Sequence, residues 1–346
     1  RPPRSTLFPY TTLFRSVAFV KINNSFSQPT NPSVGVPQGS VLGPVLFSCI
    51  MAQLPSLLKE IGIDSHIYAD DTQFWISFRP EDEAIARRRV QRAFKVVGSF
   101  MTDNSLKLNA AKTQFLPISR YDVDFAPLTI SGDVMIEPSN QVCKLGVIFD
   151  RKLNFRSHAG QVRKAGFFHL RRLKCLGRII PSHCLETLIH AYVSSRIDFC
   201  NILLHDHTDQ LQTLFQSVHN ACAKSITGAR RYDSAKEQLV TLHWLPVKQR
   251  CAYKALLFCH RIAHRDPFVP SYFSSVRVKQ CVRSTRQSGT LLESSYRPNL
   301  ITVGYRSFEA YAPSLWNALP EVLRCIDNIG TFKKHLKTHL FKKHFL

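Results

Sequence analysis

The spacing of apolar positions changes near residue 150 and predicts two kinds of structure. Val17–Ile22 reads as a strand, followed by a loop and a glycine-bounded turn at Gly35–Ser40. Leu42, Leu46, Cys49, Ile50, Leu57 and Leu58 recur at helical intervals, with Pro44 tolerable in a first turn and Gly62 placed to close the helix. The period then shortens. Ile67-Tyr-Ala and Thr72–Phe78 flank Asp70-Asp71, predicting a hairpin with two acids at its turn. Pro80 and the acids Glu81, Asp82 and Glu83 open a helix whose apolar positions are Ile85, Val90, Phe94, Val97 and Met101. Leu106–Leu108, Phe115–Ile118, Leu128–Ile130 and Val142–Phe149 are further strand candidates.

Beyond Asp150 three helical stripes follow: Leu185, Leu188, Ile189, Tyr192, Val193 and Ile197; Leu211, Leu214, Phe215, Val218 and Cys222; Val247, Cys251, Ala255, Phe258, Cys259 and Ile262. Residues 266–300 are mixed and basic and read as linker or loop, before helices near Pro313–Leu323 and Thr331–Leu346. The fold class expected is α/β first, with antiparallel strands and packed helices, and α-helical afterwards.

Composition adds a partner to this outline. The 346 residues are 44% apolar, too many for a disordered chain, and carry a net charge of +22. The excess is uneven: residues 1–150 hold 15 basic and 13 acidic side chains, residues 151–346 hold 31 and 11. A polyanion is the natural partner of the second part. No apolar run reaches the roughly 18 residues of a spanning helix, the best being Val41–Leu54, so no membrane partner is expected. Ten scattered cysteines without a C-x-x-C pair, and no secretory leader, read as reduced thiols of a nuclear or cytoplasmic protein that is not secreted. Thr6–Ser16 reads like a translated sequencing adapter, so residues 1–16 are set aside and the coding sequence upstream of Val17 is expected to be missing.

Two adjacent carboxylates between apolar strands repel each other unless a cation screens them. Mg2+ is one such cation, taking a few carboxylate oxygens plus water and phosphate; an ordinary exposed Asp-Asp turn is the plain alternative. The company of the pair decides between them. Gly35–Phe47, Tyr68-Ala-Asp-Asp71, Leu106–Thr113 and Leu145–Asp150 resemble, in order and spacing, the later palm motifs of reverse transcriptases, above all the non-LTR, LINE-type enzymes. The resemblance continues through His169–Arg172, Ser195–Asn201, Leu242–Val247 and Ala312–Pro320.

That resemblance implies a partial palm over residues 17–150, a helical thumb over 151–232 and a helical C-terminal region over 233–346. It implies that Asp70 and Asp71 hold the catalytic Mg2+ ions and that Lys112 reaches the triphosphate of the incoming deoxynucleotide. Tyr68 and Ala69 would sit beside the incoming nucleotide and primer end, Gln38 and Gly39 would line the nucleotide and template side, and Leu145 and Gly146 would belong to the turn that supports the primer. The partners implied are an RNA template, a DNA primer and deoxynucleoside triphosphates; the oligomeric state is open.

Charge supports the thumb assignment independently. Arg151, Lys152, Arg156, Arg163, Lys164, Arg171, Arg172, Lys174 and Arg178 run from Asp150 to Glu186 without one acid, a pattern suited to phosphates. Within this run Phe167, Phe168 and His169 are expected to pack rather than to stack on bases. Trp244 and Trp316 read as core anchors, and Lys333, Lys334, Lys337, Lys342 and Lys343 as a second basic patch or a soluble tail. The family's earlier metal-binding Asp has no counterpart, since no Asp or Glu lies between Val17 and Ser40. The chain alone is therefore expected to bind nucleic acid without extending a primer; the alternative is a non-catalytic RNA- or DNA-binding protein derived from a retroelement.

Overall fold

Proline placement sets the first helices. Pro44 sits in the first turn of α1 (Gly43–Met51) and Pro55 in that of α2 (Leu54–Glu60), positions whose N–H would have no helical acceptor. The single helix expected over residues 42–58 is therefore two, because Pro55 cannot donate to the carbonyl four residues before it. Gly62 lies just past α2 with φ +73°, as anticipated. The computed structural model describes residues 21–23, 25–29, 41–131, 134–177, 179–205, 209–279, 291–296 and 304–346. Its contacts divide the chain into two units at Val142/Cys143.

In the first unit, short strands Lys21–Ile22 (β1) and Ser25–Phe26 (β2) pair, as do β3 (Asp64–Tyr68) with β4 (Asp71–Trp75) and β5 (Leu128–Ser131) with β6 (Val134–Ile136), all antiparallel. Among the described residues these are separate two-stranded pairs, not one continuous sheet. β1 and β2 are exposed, whereas helix α3 (Glu83–Asp103) supplies, through Ala86, Ala93, Phe94, Val97 and Phe100, the surface on which β3–β4 and β5–β6 pack. Ile85, expected on that stripe, is 47% exposed; the small Ala86 takes the buried place beside it. Leu106–Leu108 and Phe115–Ile118 are not strands: Phe115 makes one isolated bridge to Pro138, and Leu108 and Phe115 pack beside Phe94, Ile130 and Ile136. Burial, not a ladder, explains their apolar character.

The second unit is helical, as expected. The boundary passes through the hairpin of β7 (Gln141–Lys144) and β8 (Val147–Asp150), which leads to α4 (Arg156–Leu176), α5 (Ser182–Ile189), α6 (Ser195–Asp198), α7 (Asp209–Thr227), α8 (Ala235–Thr241) and α9 (Val247–Ala263). Helix α4 buries Ala159, Gly166, Leu170 and Leu173 in a core shared with Val193, Phe215, Val218 and Cys222. A Cβ on Gly166 would stand 2.7 Å from Val218 Cγ1 and 3.6 Å from Val193 Cγ1, so the missing side chain lets three elements meet. Trp244 is buried, stacks on His219 with ring centroids 5.0 Å apart, and donates its indole N–H to Glu186 at 3.1 Å. Burial drives the His219 pKa from 6.5 to about 3, keeping the ring neutral. Arg250 forms a two-pronged pair with Asp198, tying α9 to α6.

A second core surrounds Trp316, which is fully buried among Leu256, Cys259, Ala312, Phe332 and Leu336. It belongs to α9, α10 (Phe308–Asn317) and α12 (Ile329–Phe345), with the short α11 (Glu321–Arg324) between. Both tryptophans are thus core anchors. The expectation of a bare linker over 266–300 needs correction: β9 (Val276–Val278) and β10 (Leu292–Ser294) pair antiparallel. The Asn317 side chain secures them, accepting from Leu292 N at 2.9 Å and donating to Leu292 O at 2.8 Å. Val276 and Leu292 are buried against α10 and α9, which outweighs the polar composition around them.

No helix among the described residues is long and apolar enough to cross a membrane. The cysteines described are all unbridged; Cys222, Cys251 and Cys259 are buried, and burial pushes the thiols of Cys222 and Cys251 up to about 12 and that of Cys259 higher still. Cys281 lies outside the described residues.

Two measurements test this packing. Gly166→Leu should lower stability to urea by about 1–3 kcal/mol or more, while Gly160→Ala, on the open side of α4 with nothing within 4 Å of a new Cβ, should raise it by up to about 1 kcal/mol. As pH falls from about 6.5 towards 3, an unfolded His219 takes a proton that the folded ring refuses. Stability should therefore drop on acidification by up to about 1.4 kcal/mol per pH unit from this group, and His219→Phe should show a smaller loss between pH 7 and pH 5.

Candidate catalytic hairpin and nucleic-acid interface

The acid pair stands where two strands exchange direction. In β3–β4, Asp64 pairs with Trp75, His66 with Gln73 and Tyr68 with Asp71, leaving Ala69 and Asp70 as a two-residue connection. Successive strand residues face opposite ways, so Ile67 and Phe74 turn towards α2 and α3 while Tyr68, Asp71 and Trp75 share the outer face. Phe74 meets Phe94 edge to face at 5.0 Å, anchoring the inner side. Asp70 and Asp71 are exposed and Tyr68 is 62% exposed. Ala69 has φ +52°, the left-handed conformation such tight connections require. One acid is thus in the turn and the other opens β4, a refinement of the expected placement of both at the turn.

As a magnesium donor set, the pair offers oxygen ligands only, on a surface with room for water and phosphate, and it fits a hard divalent cation. Among the described residues no group of three or more His, Cys, Asp or Glu side chains converges to complete a cage.

The other implied residues are distributed. Lys112 is exposed at the end of a 3-10 turn, Ala110–Lys112, whose Ala110 packs near Phe94 and Phe115. Leu145 and Gly146 form the two-residue turn between β7 and β8, with φ +46° and +81°. Leu145 is 43% exposed, and a Cβ on Gly146 would lie 3.4 Å from the Phe199 ring. Gln38, Gly39 and Arg178 lie outside the described residues.

Helix α4 carries the cationic surface. Its entry is fixed by Asp150, whose carboxylate accepts the backbone N–H of Lys152 and Asn154 at 3.1 Å each and of Phe155 at 2.8 Å. Leu153 and Phe155 take positive φ there, which those three bonds stabilise. With one stripe buried, Arg163, Lys164, Arg171, Arg172 and Lys174 are left exposed around the rest of the helix, and none of them makes an ion pair among the described residues. Arg163 lies over the Phe167 ring at 5.4 Å and Arg172 over Phe168 at 4.5 Å.

The expectation that Phe167, Phe168 and His169 all pack holds for Phe167, which joins the core beside α4. It fails for Phe168, which is 48% exposed. Sequence reasoning also placed Tyr192 on a buried stripe, whereas it is 49% exposed. Leu185, Ile189, Val193 and Ile197 are the buried set. A repeat of four drifts by about 40° per step on a 3.6-residue helix, and the π-turn His190–Ser194 widens the helix in the middle of that repeat, leaving Tyr192 outside. Arg196, one turn on, is exposed beside Tyr192 and carries no sequence motif that singles it out. For Tyr192 the signal was present in the uninterrupted spacing of four.

Comparisons with known proteins cover the acid hairpin, and the matched family model ends before α4. Residues 4–149 match the family model for reverse transcriptase (RNA-dependent DNA polymerase). Residues 4–149 are thus similar to reverse transcriptases, and the relatives below are RNA-directed DNA polymerases of transposons and mobile elements. Over 164 residues, 45% of the chain, it is 30% identical to a probable RNA-directed DNA polymerase from transposon BS of Drosophila melanogaster. It is 30% identical over 131 residues, 36% of the chain, to the RNA-directed DNA polymerase from mobile element jockey of Drosophila funebris. It is 26% identical over 146 residues, 42% of the chain, to a probable RNA-directed DNA polymerase from transposon X-element of Drosophila melanogaster. These matches span 18%, 14% and 16% of the respective relatives, less than a fifth of each. No solved structure matches the chain.

The turn geometry is open to a direct check. Ala69→Val puts a β-branched residue where φ is positive and should cost about 1–2 kcal/mol locally, so that amides of β3 and β4 exchange hydrogen faster while those of α7 do not. Equal protection in both proteins would show that the left-handed turn is not required.

Proposed function

We propose that this chain is the later palm, thumb and C-terminal part of a LINE-type RNA-directed DNA polymerase. Its parent reaction is template-directed transfer of a nucleotide from a deoxynucleoside triphosphate to a primer 3′-hydroxyl. The observation that carries this reading is the exposed Asp70-Asp71 pair at a two-residue hairpin inside the segment matched by the reverse transcriptase family. In this reading Asp70 and Asp71 hold Mg2+, which when bound neutralises charge developing on the transferred phosphate. Tyr68 and Ala69 accommodate the primer end and incoming sugar, with Gln38 and Gly39 on the template side. Lys112 contributes a cation to the triphosphate, and Leu145 and Gly146 support the primer strand.

Residues 17–150, 151–232 and 233–346 correspond to partial palm, thumb and C-terminal region in this proposal. Arg163, Lys164, Arg171, Arg172, Lys174 and Arg178 grip phosphates of an RNA–DNA hybrid without reading sequence. Ribonucleoprotein residence in nucleus and cytoplasm follows from those partners. A purely nucleic-acid-binding role is the second reading, favoured by the acid-free cationic face of α4 and by the lack, among the described residues, of a third acid converging on Asp70 and Asp71.

Two assays separate the readings. The purified chain should bind an RNA–DNA hybrid with steep salt dependence, and the double reversal Arg171→Glu, Arg172→Glu should reduce the slope of log K against log salt by about two. An unchanged slope removes the α4 assignment. In a primer-extension assay with Mg2+ the chain alone should give no product. Extension that Asp70→Asn abolishes would restore a complete catalytic centre.

A further inference from the structure

The cationic face of α4 is not purely cationic. At its centre Phe168, His169 and Tyr192 form a continuous aromatic series: Phe168 and His169 meet edge to face with centroids 5.3 Å apart, and His169 stacks on Tyr192 at 5.8 Å with planes 28° apart. Phe168 and Tyr192 each leave about half of their surface in solvent, 48% and 49%. Two large half-exposed rings backed by a third are an unfavourable surface unless something covers them. Charge indicates what. Arg172 lies over Phe168 at 4.5 Å, Arg171 and Lys164 are exposed along the same helix, and Arg196 is held by its Nε donating to Tyr192 O at 3.1 Å. Desolvation, and after it Arg196 and Arg172, lower the pKa of His169.

The π-turn gives the arrangement a cause. By displacing Tyr192 from the stripe of Leu185, Ile189, Val193 and Ile197, it brings an aromatic ring onto His169 that a regular helix would have turned inwards. Rings flanked by arginines suit a partner with flat apolar faces joined by anionic links. Duplex DNA or RNA hides its base faces; only an unpaired strand offers both at once.

We propose that Tyr192 and Phe168, backed by His169 and flanked by Arg171, Arg172 and Arg196, form a stacking platform for unpaired nucleobases of a single-stranded nucleic acid. The surface rests on the nucleic-acid-binding reading of α4 but adds a strand state to it: bases stack on the rings while the arginines neutralise the adjoining phosphates. No base-specific hydrogen bonding is involved, so the platform tolerates sequence.

The test is fluorescence anisotropy of the full chain with three labelled probes of equal length: oligo-dT, an abasic oligodeoxynucleotide, and a blunt RNA–DNA hybrid. Wild type should bind oligo-dT more tightly than the abasic strand. Tyr192→Ala should weaken oligo-dT binding by about ten-fold and leave abasic and hybrid affinities unchanged, Phe168→Ala should do likewise, and Tyr192→Trp should restore it. Arg196→Gln should weaken all single-stranded binding and lower its salt slope by about one. Equal wild-type affinity for oligo-dT and abasic strand, or a Tyr192→Ala loss equal on all three probes, would overturn the platform while leaving the hybrid grip intact. Hybrid binding that is insensitive to the Arg171 and Arg172 reversals, with Tyr192→Ala still selective for bases, would instead remove the grip and keep the platform. Absence of binding to any probe would overturn both.

Discussion

The second unit is organised around a point with no side chain. At Gly166, α4 comes close enough to Val218 of α7 and Val193 of the π-turn that one added carbon would overlap the former. That approach commits one stripe of α4 to the core, and a helix with one stripe committed has only the rest of its surface for its long cations. Arg163, Lys164, Arg171, Arg172 and Lys174 are therefore gathered by packing, before any ligand is considered. Asp150 sets the start of the same helix by taking three backbone donors from the loop that precedes it.

In the first unit the governing constraint is the two-residue connection of β3 and β4. Its brevity fixes the register, the register fixes the faces, and the faces keep Ile67 and Phe74 inside while Tyr68 and Asp71 stay in water. An acid pair on a longer loop would not have its side chains assigned to faces in this way. Both candidate surfaces thus come from apolar packing on the side away from them.

Much of this was legible in the sequence because it depends on local pattern. The hairpin at residues 63–78, the helix after Pro80, the change to helices beyond Asp150 and the two tryptophan anchors all follow from periodicity and turn chemistry. What escaped depended on partners distant in sequence. Leu108 and Phe115 are apolar because Phe94 and Ile136 cover them, not because they lie in a ladder. The β9–β10 pair exists because Asn317, some twenty-five residues on, clasps Leu292. Tyr192 was assigned to a buried stripe because a 3.6-residue period was assumed through a segment whose own spacing of four called for a wider turn. The acid pair is legible as part of a hairpin, but its division between turn and strand needs the register.

The distribution of thiols has a practical consequence. Cys222, Cys251 and Cys259 lie inside the helical unit with their ionisation suppressed by burial, whereas Cys49, Cys143, Cys175 and Cys325 face water. Since only the thiolate attacks an alkylating reagent, the inner three become reactive only when the helices part. Timed alkylation read by mass would therefore act as a built-in clock for opening of the helical unit, with the outer cysteines marking time zero.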